Sequence, residues 1–378
     1  MLLESVVERL GENGTLAAGG VLIGVVFGFM AQRSRFCLRS AVIEFARNQM
    51  GGKLTVWLFA FATAVGVTQA LAWAGWFDAG NARQIAARGS LSGAAVGGAL
   101  FGVGMILARG CSSRLLVLAA QGNLRSLLSG LVFAVTAQAA LTGALSPLRL
   151  AISEWWTIDG GGARDLIART GIGHGGALLF ALVWGVAAIV WAWRQKVPPW
   201  GWAGAIGVGL SIAGAWWLTY AMTTVAFDPH PIQSLSFTGP SSEVLNRVPF
   251  VTDKPVSFDL GLVPGVFLGS FLAAALFGEL KLEGFQGGPG MRRYIAGAMA
   301  MGFGGMLAAC WRGAAQWVPG CRAPRSSRPR HVSRCAPCGR PLPSRIGRWT
   351  SGTSKRRTRP CQAPRVATQV QATSPERH

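Results

Sequence analysis

The chain has 378 residues, of which 51% are hydrophobic and only 13% charged, with a mean hydropathy of +0.37. Soluble domains carry about 25% charged residues, so a water-solvated globule with a full polar shell is excluded. The formal net charge of +21 is concentrated at one end of the chain, so it does not make the remainder a nucleic-acid-binding protein.

The segment Met1–Gly14 is mixed and charged, with Glu4, Glu8, Arg9 and Glu12. It has no cleavable-signal pattern, so the first apolar run, Thr15–Ala31, is expected to be the first membrane span. In chain order, Leu54–Trp76, Gly89–Ala108, Ser126–Pro147, Gly175–Trp193, Pro199–Phe227 and Leu260–Gly278 contain no Asp, Glu, Lys or Arg, and neither does Tyr294–Trp311. About 20 apolar residues cross the hydrocarbon layer as a helix. In lipid the backbone must satisfy its own hydrogen bonds. The expected fold is therefore all-α and polytopic, with two pseudo-symmetric halves and about eight to nine transmembrane helices in all, plus short re-entrant half-helices. Two shorter stretches, Leu38–Ala46 and Ser112–Ala120, read as re-entrant half-helices. Such half-helices reconcile the basic flanks Arg33, Arg35, Lys53, Arg194 and Lys196 with the positive-inside rule, which simple crossings alone do not. The polar segment Asp228–Asp259 reads as an external or interfacial loop, His174 as a span entrance, and Trp155, Trp156, Trp200 and Trp202 as interfacial anchors.

Composition changes abruptly after Trp311. Residues 312–378 hold 15 of the 36 basic residues, one of the 15 acidic residues and nine of the 19 prolines. Such a segment cannot bury enough apolar surface to order itself. The expected organisation is a transmembrane domain over 1–311 and a basic, disordered tail over 312–378. The mixture of Arg, Pro, Ser, Ala and Cys suits GC-rich codons read out of frame, so a frameshifted C-terminus is a further expectation. Cys335-Ala-Pro-Cys338 lacks the second ligand pair or βαβ frame that a metal or redox site needs; no cofactor is expected.

Two segments match at an offset of 200 residues: Gly97, Gly102, Gly104, Leu107 and Ala108 against Gly297, Gly302, Gly304, Leu307 and Ala308. Arg109-Gly110-Cys111 closes the first copy and Ala309-Cys310 the second. Repeated halves with interrupted helices typify secondary transporters. Only Cys37, Cys111 and Cys310 lie before residue 312. Cys37 sits in Arg33-Ser-Arg35-Phe-Cys37-Leu-Arg39, and Cys111 in Arg109-Gly110-Cys111-Ser112-Ser-Arg114. Half-helix N-termini and arginines favour an anion. Thiols are soft, polarisable, weak donors, suited to cargo with a terminal sulfur or selenium. A chloride or phosphate site would use Ser, Thr and backbone N–H groups instead.

The segments Gln32–Ala41, Leu107–Cys111 and the Gly-Phe-Gly-Gly-Met-Leu-Ala-Ala-Cys run ending at Cys310 resemble the YeeE/YedE family of bacterial sulfur-transport proteins over about residues 15–311. The resemblance implies a permease of the bacterial inner membrane, with short helices meeting at the midplane and cysteines passing thiosulfate inward by thiol hydrogen bonding. It also implies a small cytoplasmic sulfur-carrier partner of the TusA/SirA type. Carried over residue by residue, Cys37 and Cys111 match their motifs. At Cys310 the family has Gly-Gly-Cys and a further half-helix, whereas this chain continues Trp311-Arg312 into the tail. The expected pathway residues are Cys37, Cys111, Cys310, Arg35, Arg109, Gly110, Ser112 and Arg114. The alternatives are a selenium-compound transporter and a membrane sulfurtransferase or thiol redox enzyme. The latter would need a resolving thiol and an acid–base partner, so a non-enzymatic permease is expected.

Overall fold

The computed structural model describes residues 2–78, 82, 88–159, 171, 173–228, 230–247, 256–285 and 288–309. Cys310 and the tail over 312–378 lie outside the described residues, as do the tail's Cys-x-x-Cys and the frameshift junction. The helices are α1 (Leu2–Arg33), α2 (Leu38–Ala46), α3 (Gly52–Trp73), α4 (Leu91–Leu107), α5 (Ser112–Ala120), α6 (Leu124–Leu141), α7 (Ser146–Glu154), α8 (Gly173–Arg194), α9 (Pro199–Val225), α10 (Thr238–Arg247), α11 (Phe258–Leu276) and α12 (Gly288–Ala309). Two two-residue strands, β1 (Gly89–Ser90) and β2 (Thr157–Ile158), pair antiparallel. Seven segments of the described residues are long and apolar enough to cross a membrane. The protein is a polytopic all-α membrane protein.

Both expected half-helices form with the expected bounds, Leu38–Ala46 and Ser112–Ala120. Each follows a long helix after a short break, so Leu3–Ala46 and Leu91–Ala120 repeat one plan: long helix, turn, short helix. The breaks are alike. Arg35 and Arg109 have φ of 51° and 56°, the left-handed conformation that closes a helix C-terminus and usually goes to glycine. The segment expected as a loop, Asp228–Asp259, instead contains α10, with Pro240 and Ser242 buried. It has the polarity of a loop because it lines a cavity rather than lipid.

Packing rests on small residues, as it must where lipid is as apolar as a side chain. Gly20, Gly24 and Gly28 of α1 lie against Phe258, Leu262 and Val266 of α11 in step, so these helices run parallel. The glycine-striped α4 and α12 run antiparallel, with Gly97 against Gly304 and Gly104 against Gly297. The repeat thus packs against itself, each stripe forming the groove for the other. On α8, Leu179, Phe180, Leu182, Val183 and Val186 are exposed, as a lipid-facing surface requires.

These contacts sort the helix ends onto two faces. Arg33 meets Trp200, Phe277 and Glu279. Gln121 and Gly122 pair with Lys281 and Glu283, and Arg109 and Arg125 lie over Tyr294. Gly52 faces Val197. This face therefore collects Arg33, Arg35, Lys53, Arg109, Arg125, Arg194, Lys196 and Lys281. On the opposite face, Glu12 holds the Phe227 and Asp228 N–H groups and His230, and His174 meets Gln69. Arg33 and Lys53 thus share one face although the short helix α2 lies between them.

Candidate functional site

The two described cysteines occupy equivalent positions: each is the residue preceding the first turn of a short helix, Cys37 for α2 and Cys111 for α5. Both have extended backbone, with φ of −159° and −80° respectively, as residues entering a helix adopt. Their thiols are free and lie near enough to interact with each other. Cys111 is 5% exposed, and its Sγ lies 3.4 Å from the Ser113 hydroxyl. The Cys37 thiol faces the hydroxyl and N–H of Ser40. Met105, Leu115, Phe133, Ala298 and Met301 pack round Cys111, and Leu38 packs against this cluster. Elements from both copies of the glycine repeat therefore hold the thiol pair.

On one side of the thiols lies a cavity of about 860 Å³, reached by Leu38 and Ser112, the first residues of the two short helices. Its polar lining includes Gln138, Thr142, Gln233, Ser234, Thr238 and Asn246, drawn from α6, α10 and the segment before α10. A cavity of this size, with a few convergent amides and hydroxyls, has the dimensions of a small-molecule site. Two helix N-termini also bring N–H groups and partial positive charge to its end.

On the other side is a basic cluster. Arg114 lies within electrostatic reach of both thiols, of Arg35 and of Glu279. Its Nη1 points to Gln32 Oε1 at 3.5 Å. Gln32 Nε2 in turn donates to Glu279 Oε2 at 2.6 Å. Lys53 faces Arg35, Arg114, Glu44 and Cys37. The structure thus gathers Cys37, Cys111, Arg35, Ser112 and Arg114. Arg109 turns away, its guanidinium 5.7 Å from the Tyr294 ring centroid, and Gly110 backs onto Leu115. Lys53 and Glu279 belong to the cluster but carry no motif, and Gln32, which opens the Gln32–Ala41 segment, joins them without having been expected in the pathway; Gln32 and Glu279 are 247 positions apart in the chain. Among the described residues no three His, Cys, Asp or Glu side chains are gathered to hold a metal ion.

The chain is similar to known proteins over most of its length. Residues 33–314 match the sulphur transport family. The thiosulfate transporter TsuA of Spirochaeta thermophila is 26% identical over 313 residues, covering 76% of this chain and 84% of that protein. TsuA of Escherichia coli K12 is 24% identical over 324 residues, covering 78% of this chain and 84% of that protein.

Proposed function

The chain belongs to the YeeE/YedE sulphur transport family, and on that premise we propose that it is a permease of the bacterial inner membrane for thiosulfate or a closely related sulfur anion. The observation that carries the reading is the thiol pair: two free cysteines at the meeting N-termini of two half-helices, between a polar cavity and a basic cluster. Thiosulfate presents three oxygens and one soft terminal sulfur. Amides and hydroxyls of the cavity donate to its sulfonate oxygens. The helix N-termini and Arg114 balance its charge, and the thiols of Cys37 and Cys111 donate weak hydrogen bonds to its sulfur. Weak contacts suit passage, since a permeating ion must be able to leave.

The face carrying Arg33, Lys53, Arg194 and Lys196 is cytoplasmic by the positive-inside rule, which makes the cavity the outer vestibule, and passage is inward in an importer. Cys310 is the third member of the relay by its place after the second glycine stripe. Arg35, Arg109, Gly110 and Ser112 shape its approaches, and a TusA/SirA-like carrier collects sulfur at the inner face. Residues 1–311 form the transport domain, and 312–378 a tail whose origin in a shifted reading frame sequencing of the gene tests.

The test is uptake of sulfur-35 thiosulfate by cells lacking other importers. Cys37→Ser and Cys111→Ser keep size and hydrogen bonding but lose the soft sulfur. Uptake is expected to fall at least about tenfold in each, about 1.4 kcal/mol or more of lost passage. Intact uptake by Cys111→Ser at equal membrane abundance would falsify the thiol route. Radiolabel left covalently on the protein during turnover would point instead to a sulfurtransferase.

A further inference from the structure

We propose that Glu279 is a tethered anion that holds the arginine site at the inner end of the pathway, and that cargo leaves the thiols by displacing it. The inference rests on the transport reading and adds to it the residue that governs release.

The Glu279 backbone is held in place. Helix α11 closes through Gly278 at φ 65°, and the Glu279 N–H donates to Ala274 O at 2.8 Å. Just beyond, the N–H groups of Lys281 and Glu283 donate to Gln121 O and Gly122 O, both at 3.1 Å. The carboxylate is therefore delivered to one place, beside the break that follows α1. There its Oε1 lies 3.8 Å from Arg33 Nη1 and 3.8 Å from Arg35 Nη2.

Those distances matter. A charge-assisted N–H···O pair closes to about 2.7–2.9 Å, so neither guanidinium is locked onto the carboxylate. Arg33 is positioned independently, 3.6 Å from the Phe277 ring centroid and 5.5 Å from that of Trp200. One carboxylate is thus shared loosely between Arg33, which the two rings hold in place without it, and Arg35, whose side chain is 67% exposed. An arriving dianion with more oxygens satisfies the same donors better.

The cluster also connects directly to the thiols. Gln32 is 2% exposed; it donates to Glu279 and accepts from Arg114, and Arg114 lies within reach of Cys37 and Cys111. Cargo moving inward from the thiols meets Arg114 first, then the arginines held by Glu279. The neighbouring carboxylate, Glu44, accepts from the Leu54 N–H at 2.9 Å and faces Lys53, whereas Glu279 is the carboxylate set against Arg33 and Arg35. Once cargo departs, the tethered carboxylate returns to the arginines, so the site is never left as an uncompensated group of cations.

The test uses Glu279→Gln in the full chain. Glutamine keeps the shape and an oxygen to accept from Gln32, and removes the competing charge. Equilibrium dialysis of sulfur-35 thiosulfate against the purified protein is expected to show about fivefold tighter binding. In proteoliposomes KM falls in step, and the maximal rate falls because release slows. Glu279→Asp, with the charge restored on a shorter arm, is expected to return KM towards the parent value. A merely structural Glu279 would give the opposite: lower thermal stability with KM raised. Unchanged or weaker binding by Glu279→Gln, alongside normal uptake by the parent, overturns the latch alone. A parent that neither binds nor imports thiosulfate overturns the transport reading and the latch with it.

Discussion

Replacing Gly104 by alanine adds one methyl group where two helix backbones touch. A Cβ built there lies 2.5 Å from Gly297 O and from Met301 N, and 2.8 Å from Met301 Cβ. Ordinary contact begins near 3.4 Å, and neither backbone atom can rotate away, so α12 must move off α4 by about 0.9 Å, the difference between those distances. Overpacking of this kind costs typically about 1–3 kcal/mol. Alanine also gains about 1 kcal/mol over glycine in a helix interior, which masks part of the cost. Gly102→Ala separates the two effects, because it lies on the same helix with nothing within 4 Å of the added carbon. Relative to that control, Gly104→Ala is expected to lose about 1–3 kcal/mol and to melt about 2–10 °C lower in detergent. Met301 is also part of the wall around Cys111, so the displaced helix moves the thiol pocket. Thiosulfate uptake is expected to fall at least about tenfold in Gly104→Ala, since a misplacement of about 1 Å at a functional site is that costly, and to stay within about twofold of the parent in Gly102→Ala. Coincident melting curves and equal uptake for the two variants would show that α4 and α12 do not meet through this glycine stripe.

Arg109→Gly places glycine at a φ of 56°, relieving about 1 kcal/mol of left-handed strain. Its melting temperature should hold or rise, while uptake drops through the lost positive charge; a fall in both would mean that the contact with Tyr294 is chiefly structural. Asn123→Ala removes the α6 cap, whose Oδ1 accepts from Ser126 N–H at 2.9 Å, along with the link to Glu283. About 1 kcal/mol of stability should go, read as a lower melting temperature, and an unchanged midpoint contradicts the capping role. Reporter fusions check the orientation: green fluorescent protein joined after Lys196 should fluoresce and alkaline phosphatase joined after Asp159 should be active. The reverse pattern would turn the cavity towards the cytoplasm.

What local composition governs was legible in the chain. Lipid solvation depends on whether about 20 successive residues lack charge, so α3, α8, α9 and α11 lie close to the expected limits. The half-helices α2 and α5 were equally legible, because a stretch of nine residues is too short to cross and a Cys flanked by Arg marks where it starts. The 200-residue glycine offset also survives, as the surface along which α4 and α12 pack. Depth and partnership were not legible. That Cys37 and Cys111 meet, that Arg109 turns to Tyr294 while Arg114 faces the thiols, and that Glu279 reaches Gln32 across 247 positions all follow from helix packing. So does the helix α10 within Asp228–Asp259, whose polar residues are solvated by a cavity and not by a loop's water. Charge and hydropathy record which solvent a segment prefers; only close contact between distant glycine-faced helices decides which side chains share that solvent.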